Sequence, residues 1–238
     1  MTDGALDPLR STGQVWGVLR ARPGPMVAWW GGGTLFGVCL TGAAALVDLP
    51  PKQEPWLYMA WFGALLLGGI AWRVGLARVL ETALEPGAGR PGGSFAVRFL
   101  NVCATLVVLA LALLLVSLPF VAALVLLLQV DEPRPLLQAT LLVLWGTVLL
   151  HVALGLSLAP FAAAVEDAGP LALLLRSWRL ARRRRLALAG FWLATLALSL
   201  SGLVALGVGV LATGALLHLL PTEAWLALRR EAKVEPVT

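Results

Sequence analysis

The sequence predicts an all-α fold, a polytopic membrane bundle of six transmembrane helices, and three observations carry that prediction. Of the 238 residues, 59% are apolar and 13% are charged, whereas an ordinary soluble domain has about 45–50% apolar and about 25% charged residues. Mean hydropathy is +0.87, and most of the chain is taken up by apolar runs of the length that crosses a bilayer, about 20 residues in helix. Lys and Arg gather in alternate loops between those runs. So few charged side chains cannot cover a globule in water. That excludes an ordinary soluble enzyme, a disordered tail and a nucleic-acid-binding domain, despite a pI near 10.2.

Residues 1–25 read as an N-terminal interfacial segment, 26–228 as the six-span membrane domain and 229–238 as a tail. The first span, about 26–47, ends at Asp48 and the Pro50-Pro51 breaker. Ala43-Ala44-Ala45 could pass for a signal-peptidase site, but the apolar stretch exceeds the about 7–15 residues of a signal core and more spans follow it, so it is expected to stay uncleaved. The second span, 56–72, follows Lys52-Gln53-Glu54-Pro55 and exits at Arg73 and Arg78. The third, 99–130, and the fourth, 136–165, flank the short Asp131–Pro135 turn. Both exceed a straight crossing, so tilt or bends near Pro119 and Pro160 should absorb the surplus.

The last apolar stretch, Leu186–Leu220, is too long for one span, and no charged loop divides it. Ser199, Ser201, Gly202, Gly207 and Gly209 mark a turn near its middle. Spans at 186–204 and 209–228 result. Charge supports this count independently. With six spans, sixteen of the eighteen Lys and Arg lie on one side and only Lys52 and Arg134 on the other; with five, the split is thirteen to five. Positive loops face the cytoplasm, so both termini are expected inside, in a bacterial inner membrane. The aromatics agree: Trp56 and Tyr58 start span two outside, while Trp16, Trp72 and Trp178 lie at the inner surface, where amphipathic rings favour headgroups.

A weak internal repeat accompanies the spans. Trp16-Gly-Val-Leu-Arg20-Ala-Arg22 precedes Trp30 as Trp178-Arg-Leu-Ala-Arg182-Arg-Arg184 precedes Trp192, and Ser94–Arg98 is a fainter third copy. This pattern predicts three helix hairpins, each preceded by a basic interfacial segment. Internal repeats of this general kind build transporters, although aromatic and basic residues also gather at any inner membrane surface.

The loop before span five is the most informative stretch. Gly169-Pro170 suits a helix start, with Glu166 and Asp167 near its positive end. Leu171, Leu174, Leu175 and Trp178 share one face of that helix, so it should lie in the headgroup layer with its arginines at lipid phosphates. The Arg182–Arg185 run adds attraction of about 1 kcal/mol per basic residue near an anionic surface. Arg176, Trp178, Arg179, Arg182, Arg183, Arg184 and Arg185 are therefore the candidate contacts for anionic lipid headgroups or a partner protein.

The acidic-Gly-Pro turn, Arg176-Ser177-Trp178 and the basic cluster before span five resemble a motif of a broad group of bacterial six-span membrane proteins. That group includes the membrane domain of some glycerophosphodiester phosphodiesterases and stand-alone relatives of uncharacterised function. Glu223-Ala-Trp225-Leu-Ala-Leu-Arg229-Arg230 after Pro221, and the Trp16–Arg22 segment, are similar to the same group. The resemblance implies the six-span fold. It implies no phosphodiesterase activity, because these 238 residues contain no soluble domain, and Leu228 stands where the group carries tyrosine.

Groups for chemistry are scarce within the spans. No carboxylate lies mid-span, and Glu223 sits near the inner end of span six, which argues against a proton or ion pathway. His151 and His218 are the intramembrane polar residues, expected to hydrogen-bond between helices; two histidines make an incomplete zinc site, and no metal or cofactor is expected. Gly155-Leu-Ser157 with His218 has the residue types of a rhomboid-type serine protease, but Ser157 lies too deep and the groups that would stabilise an oxyanion are not evident. Cys39 and Cys103 sit in apolar runs, as buried small residues rather than a disulfide. Small-residue spacings such as Gly33-x3-Gly37 and Gly155-x3-Ala159 predict close helix approach, in a compact bundle or a homo-oligomer. The sequence thus reads as a non-enzymatic scaffold, accessory or assembly component with a basic cytoplasmic face, with a small permease or lipid-handling transporter as the alternative.

Overall fold

A computed structural model describes residues 6–21, 23–25, 28, 31–33, 39, 55–85, 94–129, 135–182, 184–204 and 208–234. Among them there is no β-strand, and the helices run in the order α1 (Pro8–Ala21), α2 (Pro55–Leu84), α3 (Phe95–Leu128), α4 (Pro135–Leu156), α5 (Ala159–Val165), α6 (Pro170–Arg182), α7 (Arg185–Val204) and α8 (Val208–Val234). Among the described residues, three stretches are long and apolar enough to cross a membrane: Met59–Leu84, Phe95–Leu128 and Pro135–Val165. The chain is thus helical, with the composition and helix lengths of a membrane protein. The predicted first span, 26–47, lies almost wholly outside the described residues.

Helix α2 does not stop where Arg73 and Arg78 mark the end of an apolar run. Val74, Leu76, Ala77 and Leu80 are all buried, so its last three turns pack on protein, and Arg73 lies 4.8 Å over the Phe161 ring instead of leaving for solvent. The predicted boundary at 72 is therefore extended by twelve residues of packed helix. Helix α3 begins where Ser94, in extended conformation, accepts a hydrogen bond from the Val97 amide, the usual role of serine at a helix start. It runs through Pro119 without interruption. Most of its apolar length is uncovered, with Val107, Leu111, Leu114, Leu115 and Leu118 all exposed, the inverse of a water-soluble helix and the surface that lipid tails would cover.

The fourth predicted span breaks between α4 and α5, two residues before Pro160. Pro160 occupies the first turn of α5, where its missing N–H costs nothing, and the Ser157 amide and hydroxyl both donate to the Leu154 carbonyl. The interruption lies close to Pro160, and the helix restarts there.

The buried core lies at one end of the bundle. It joins Leu6, Val15 and Val18 of the N-terminal segment to the second half of α2, the last four residues of α5, Leu173 and Ala181 of α6, Leu188 and Phe191 of α7, and buried residues between Leu219 and Leu228 of α8. Helices α7 and α8 pack along each other, and the Arg184–Glu231 ion pair at 2.7 Å holds the start of one beside the end of the other. They therefore form an antiparallel hairpin.

The three-unit repeat is only partly matched. Helices α1 and α6 are short amphipathic helices with arginine in the last turn, Arg20 in one and Arg179 and Arg182 in the other. The third copy differs, because Phe95–Arg98 is the first turn of α3 itself.

Candidate functional site

The densest polar structure lies at the core end, where α2, α3, α5, α6 and α8 converge. Helix α5 ends at Val165, and the last carbonyls of any helix lack internal partners. Here α3 supplies them: Arg98 donates to the Ala164 carbonyl at 3.0 Å, and Asn101 to the Glu166 carbonyl at 3.1 Å. A cation at a helix C-terminus is also favoured by the helix dipole. Arg98, 1% exposed, donates with the same nitrogen to Glu81 of α2 at 2.6 Å.

Glu166, between α5 and α6, binds the opposite side. Its Oε2 accepts from Arg176 at 2.7 Å and its Oε1 from the Trp225 indole at 3.0 Å. Arg229 of α8 stands 3.7 Å from the same Oε1 and pairs with Glu85 beyond α2. Arg176 also lies 5.7 Å over the Trp225 ring. Two acid–arginine systems thus tie five helices at one level. A second tie holds α1 down: Ser11 donates to Glu223, which Arg230 approaches at 3.6 Å.

This network assigns the predicted contact residues to two groups. Arg176 binds Glu166, Arg184 binds Glu231, and Arg185 lies 4.6 Å over the Trp178 ring and contacts His151. These three are engaged by the chain's own side chains, although the Arg176 side chain stays 42% exposed. Arg179 and Arg182 are exposed, and among the described residues neither has an ion pair. Arg183 lies outside the described residues.

Of the α6 side chains expected to face the membrane, Leu171 and Leu175 are exposed and Leu174 is buried. Leu173, Leu174, Ser177 and Ala181 are buried, while Leu171 and Leu175 are 67% and 57% exposed. The cause is specific: Ser177 donates to the Gly155 carbonyl at 3.0 Å, and the Trp178 ring occupies the space that a Cβ on Gly155 would need. The small residue at position 155 does permit close approach, of an indole ring. Leu171 and Leu175 are left uncovered.

The two histidines stand in separate settings. His151 is exposed and meets Trp178 edge-on at 5.9 Å, whereas His218 packs edge-on against Trp72 of α2 at 5.0 Å. Ser157 is engaged elsewhere, accepting from the Trp192 indole at 2.9 Å, and no bond joins it to His218. Among the described residues, no group of three His, Cys, Asp or Glu is placed to hold a metal ion.

Sequence reasoning missed the central roles of Glu81, Arg98, Glu166 and Trp225. Arg98, Arg229 and Glu166 read as topology-setting charge, a dipole partner for α6 or parts of short motifs, and not as partners in a buried network. One signal was present: acids embedded in otherwise basic, apolar-flanked segments are candidates for pairing, since an unpaired buried charge is costly. No protein-family model, curated protein or solved structure matches the chain.

Proposed function

We propose that the protein is a non-enzymatic, six-span integral membrane protein of the bacterial inner membrane. It acts as a scaffold, accessory or assembly component whose basic cytoplasmic face contacts anionic lipid or a partner protein. The observation that carries this reading is the surface of α6, where Arg179 and Arg182 are exposed beside the exposed apolar side chains of Leu171 and Leu175. A helix with that composition seats its apolar side chains in the acyl boundary and its cations at headgroups. The closely tied end of the bundle supports it, since a scaffold needs a fixed shape and five helices are joined there by paired charges. The layout also supports kinship with the six-span group that its motifs resemble.

A permease would need a polar passage between helices. The crevice between α3 and α4, about 50 Å³ and lined by Phe120, Val121, Leu124, Leu141, Leu142 and Trp145, is apolar and offers no such passage itself. The test of the scaffold reading is recovery of the purified, full chain on vesicles with and without anionic lipid, and recovery of partners by cross-linking in native membranes. Arg179→Gln with Arg182→Gln should lower one of these several-fold while leaving the bundle folded. Equal recovery of the variant in both assays would overturn a functional basic face.

A further inference from the structure

Helix α3 has two long faces, and only one of them is used within the chain. Arg98, Val102 and Thr105 turn toward the protein's own core and are buried. On the other side, every position reached from Val97 by alternating steps of three and four residues, through Leu100, Ala104 and Val107 to Leu128, is apolar and exposed. That alternation is the seam spacing by which two helices pack knobs into holes at a shallow crossing angle.

An exposed apolar face on a membrane helix ordinarily needs no cover but lipid, and this one is too long for that. From Val97 to Leu128 the axis rises about 46 Å at the helical rise per residue, against a hydrocarbon layer about 30 Å thick. Even at a tilt of about 40°, the steep end of the usual range, it projects about 36 Å. The exposed face of α4, from Leu136 to Leu150, rises only about 21 Å, which acyl chains can cover. The surplus of α3 lies at its inner end. Val97 and Leu100 are 52% and 64% exposed, yet Arg98 between them stands 4.0 Å from Asp167, an exposed acid. An exposed charge is costly in hydrocarbon, so this level lies at or beyond the headgroups, where acyl chains do not reach. Apolar side chains at that depth are stabilised by a protein cover.

We infer that this face of α3 is the contact surface for a second copy of the chain, with the two α3 helices side by side about a two-fold axis along the membrane normal. Copies inserted the same way present their seams parallel and in register, so each step along one meets the same step on the other. No charged or polar side chain interrupts the seam to favour a different sequence opposite it. Because the seam is continuous, the copy that covers Val97 and Leu100 also runs along the part within the membrane. The surface uses none of the α6 residues proposed above, so either reading can fail without the other.

The test uses the full chain carrying Cys39→Ser and Cys103→Ser, diluted into vesicles of neutral phospholipid, with one new cysteine at a time and oxidative cross-linking as the readout. Leu100→Cys, Val107→Cys and Leu114→Cys lie on the seam, whereas Leu126→Cys and Val143→Cys replace comparably exposed residues off it. The expected result is a cross-linked dimer that forms several-fold faster at the three seam positions than at the other two. Leu100→Lys places a charge at the inner level, where an exposed charge is tolerated, and should lower the dimer fraction several-fold while helix content by circular dichroism stays unchanged. If Leu100→Lys does not fold, Leu100→Asn takes its place. A chain that stays monomeric in vesicles, or that cross-links equally at all five positions, leaves the face to lipid and overturns the second copy. Cross-links along the seam that form only in native membranes, and only to a different protein, overturn it as well.

Discussion

The Arg98 guanidinium bridges two things that neither helix could satisfy alone, the Glu81 carboxylate at 2.6 Å and the Ala164 carbonyl at 3.0 Å. One side chain thereby joins α2, α3 and the end of α5. Removing it would leave a buried carboxylate unpaired, and breaking a buried pair from one side costs about 3–5 kcal/mol. Arg98→Met should therefore destabilise the bundle by about that amount in denaturant unfolding from detergent. Adding Glu81→Gln should restore part of the loss, because it removes the stranded charge. A double variant as unstable as the sum of the singles would show that the two side chains are not coupled.

Gly155 and Gly146 lie on the same helix in opposite circumstances. The Trp178 ring fills the place of a Cβ at 155, whereas nothing stands within 4 Å of one at 146. Gly155→Ala should displace the indole and cost about 1–3 kcal/mol, the usual penalty of overpacking. Gly146→Ala should be neutral or stabilising by up to about 1 kcal/mol, the helix preference of alanine over glycine. Thermal unfolding of the two variants beside the parent protein would show the contrast.

Ser11 is buried and donates to Glu223, which is 2% exposed. Hydrogen bonds to charged groups contribute about 1.5–3 kcal/mol, and this one joins the N-terminal helix to α8. Ser11→Ala should loosen α1 before the rest of the bundle. Hydrogen exchange should rise across residues 8–21 and stay unchanged in α3 and α4.

Topology is checked by placing single reporters at the two termini. A reporter on either end should be active only inside the cell if there are six spans. A C-terminal reporter active outside would restore the five-span count and its poorer charge split.

Much of the architecture was legible in the sequence because it follows from local quantities. Apolar run length locates α3 and α4, Gly169-Pro170 locates the start of α6, and the Ser and Gly cluster after Leu198 anticipates the division of the last apolar stretch between α7 and α8. Each depends on residues close together in the chain. Where α2 ends was not legible, because Arg73 and Arg78 are charged, yet the turns around them are buried against other helices.

That the chain is helical and has the composition of a membrane protein follows from the residues in order along it. Those properties are sums over neighbours. Which arginines are paired depends on the folded arrangement, since Arg176 and Arg179 look equivalent in the chain but one is bound to Glu166 and the other is exposed with no ion pair among the described residues. That arrangement also decided that Trp72 and His218, far apart in the chain, meet ring to ring at 5.0 Å. The physical reason is distance: a charge in a medium of low polarity takes its meaning from the groups within a few ångströms of it, and for these residues those groups lie up to about 145 positions away in the chain.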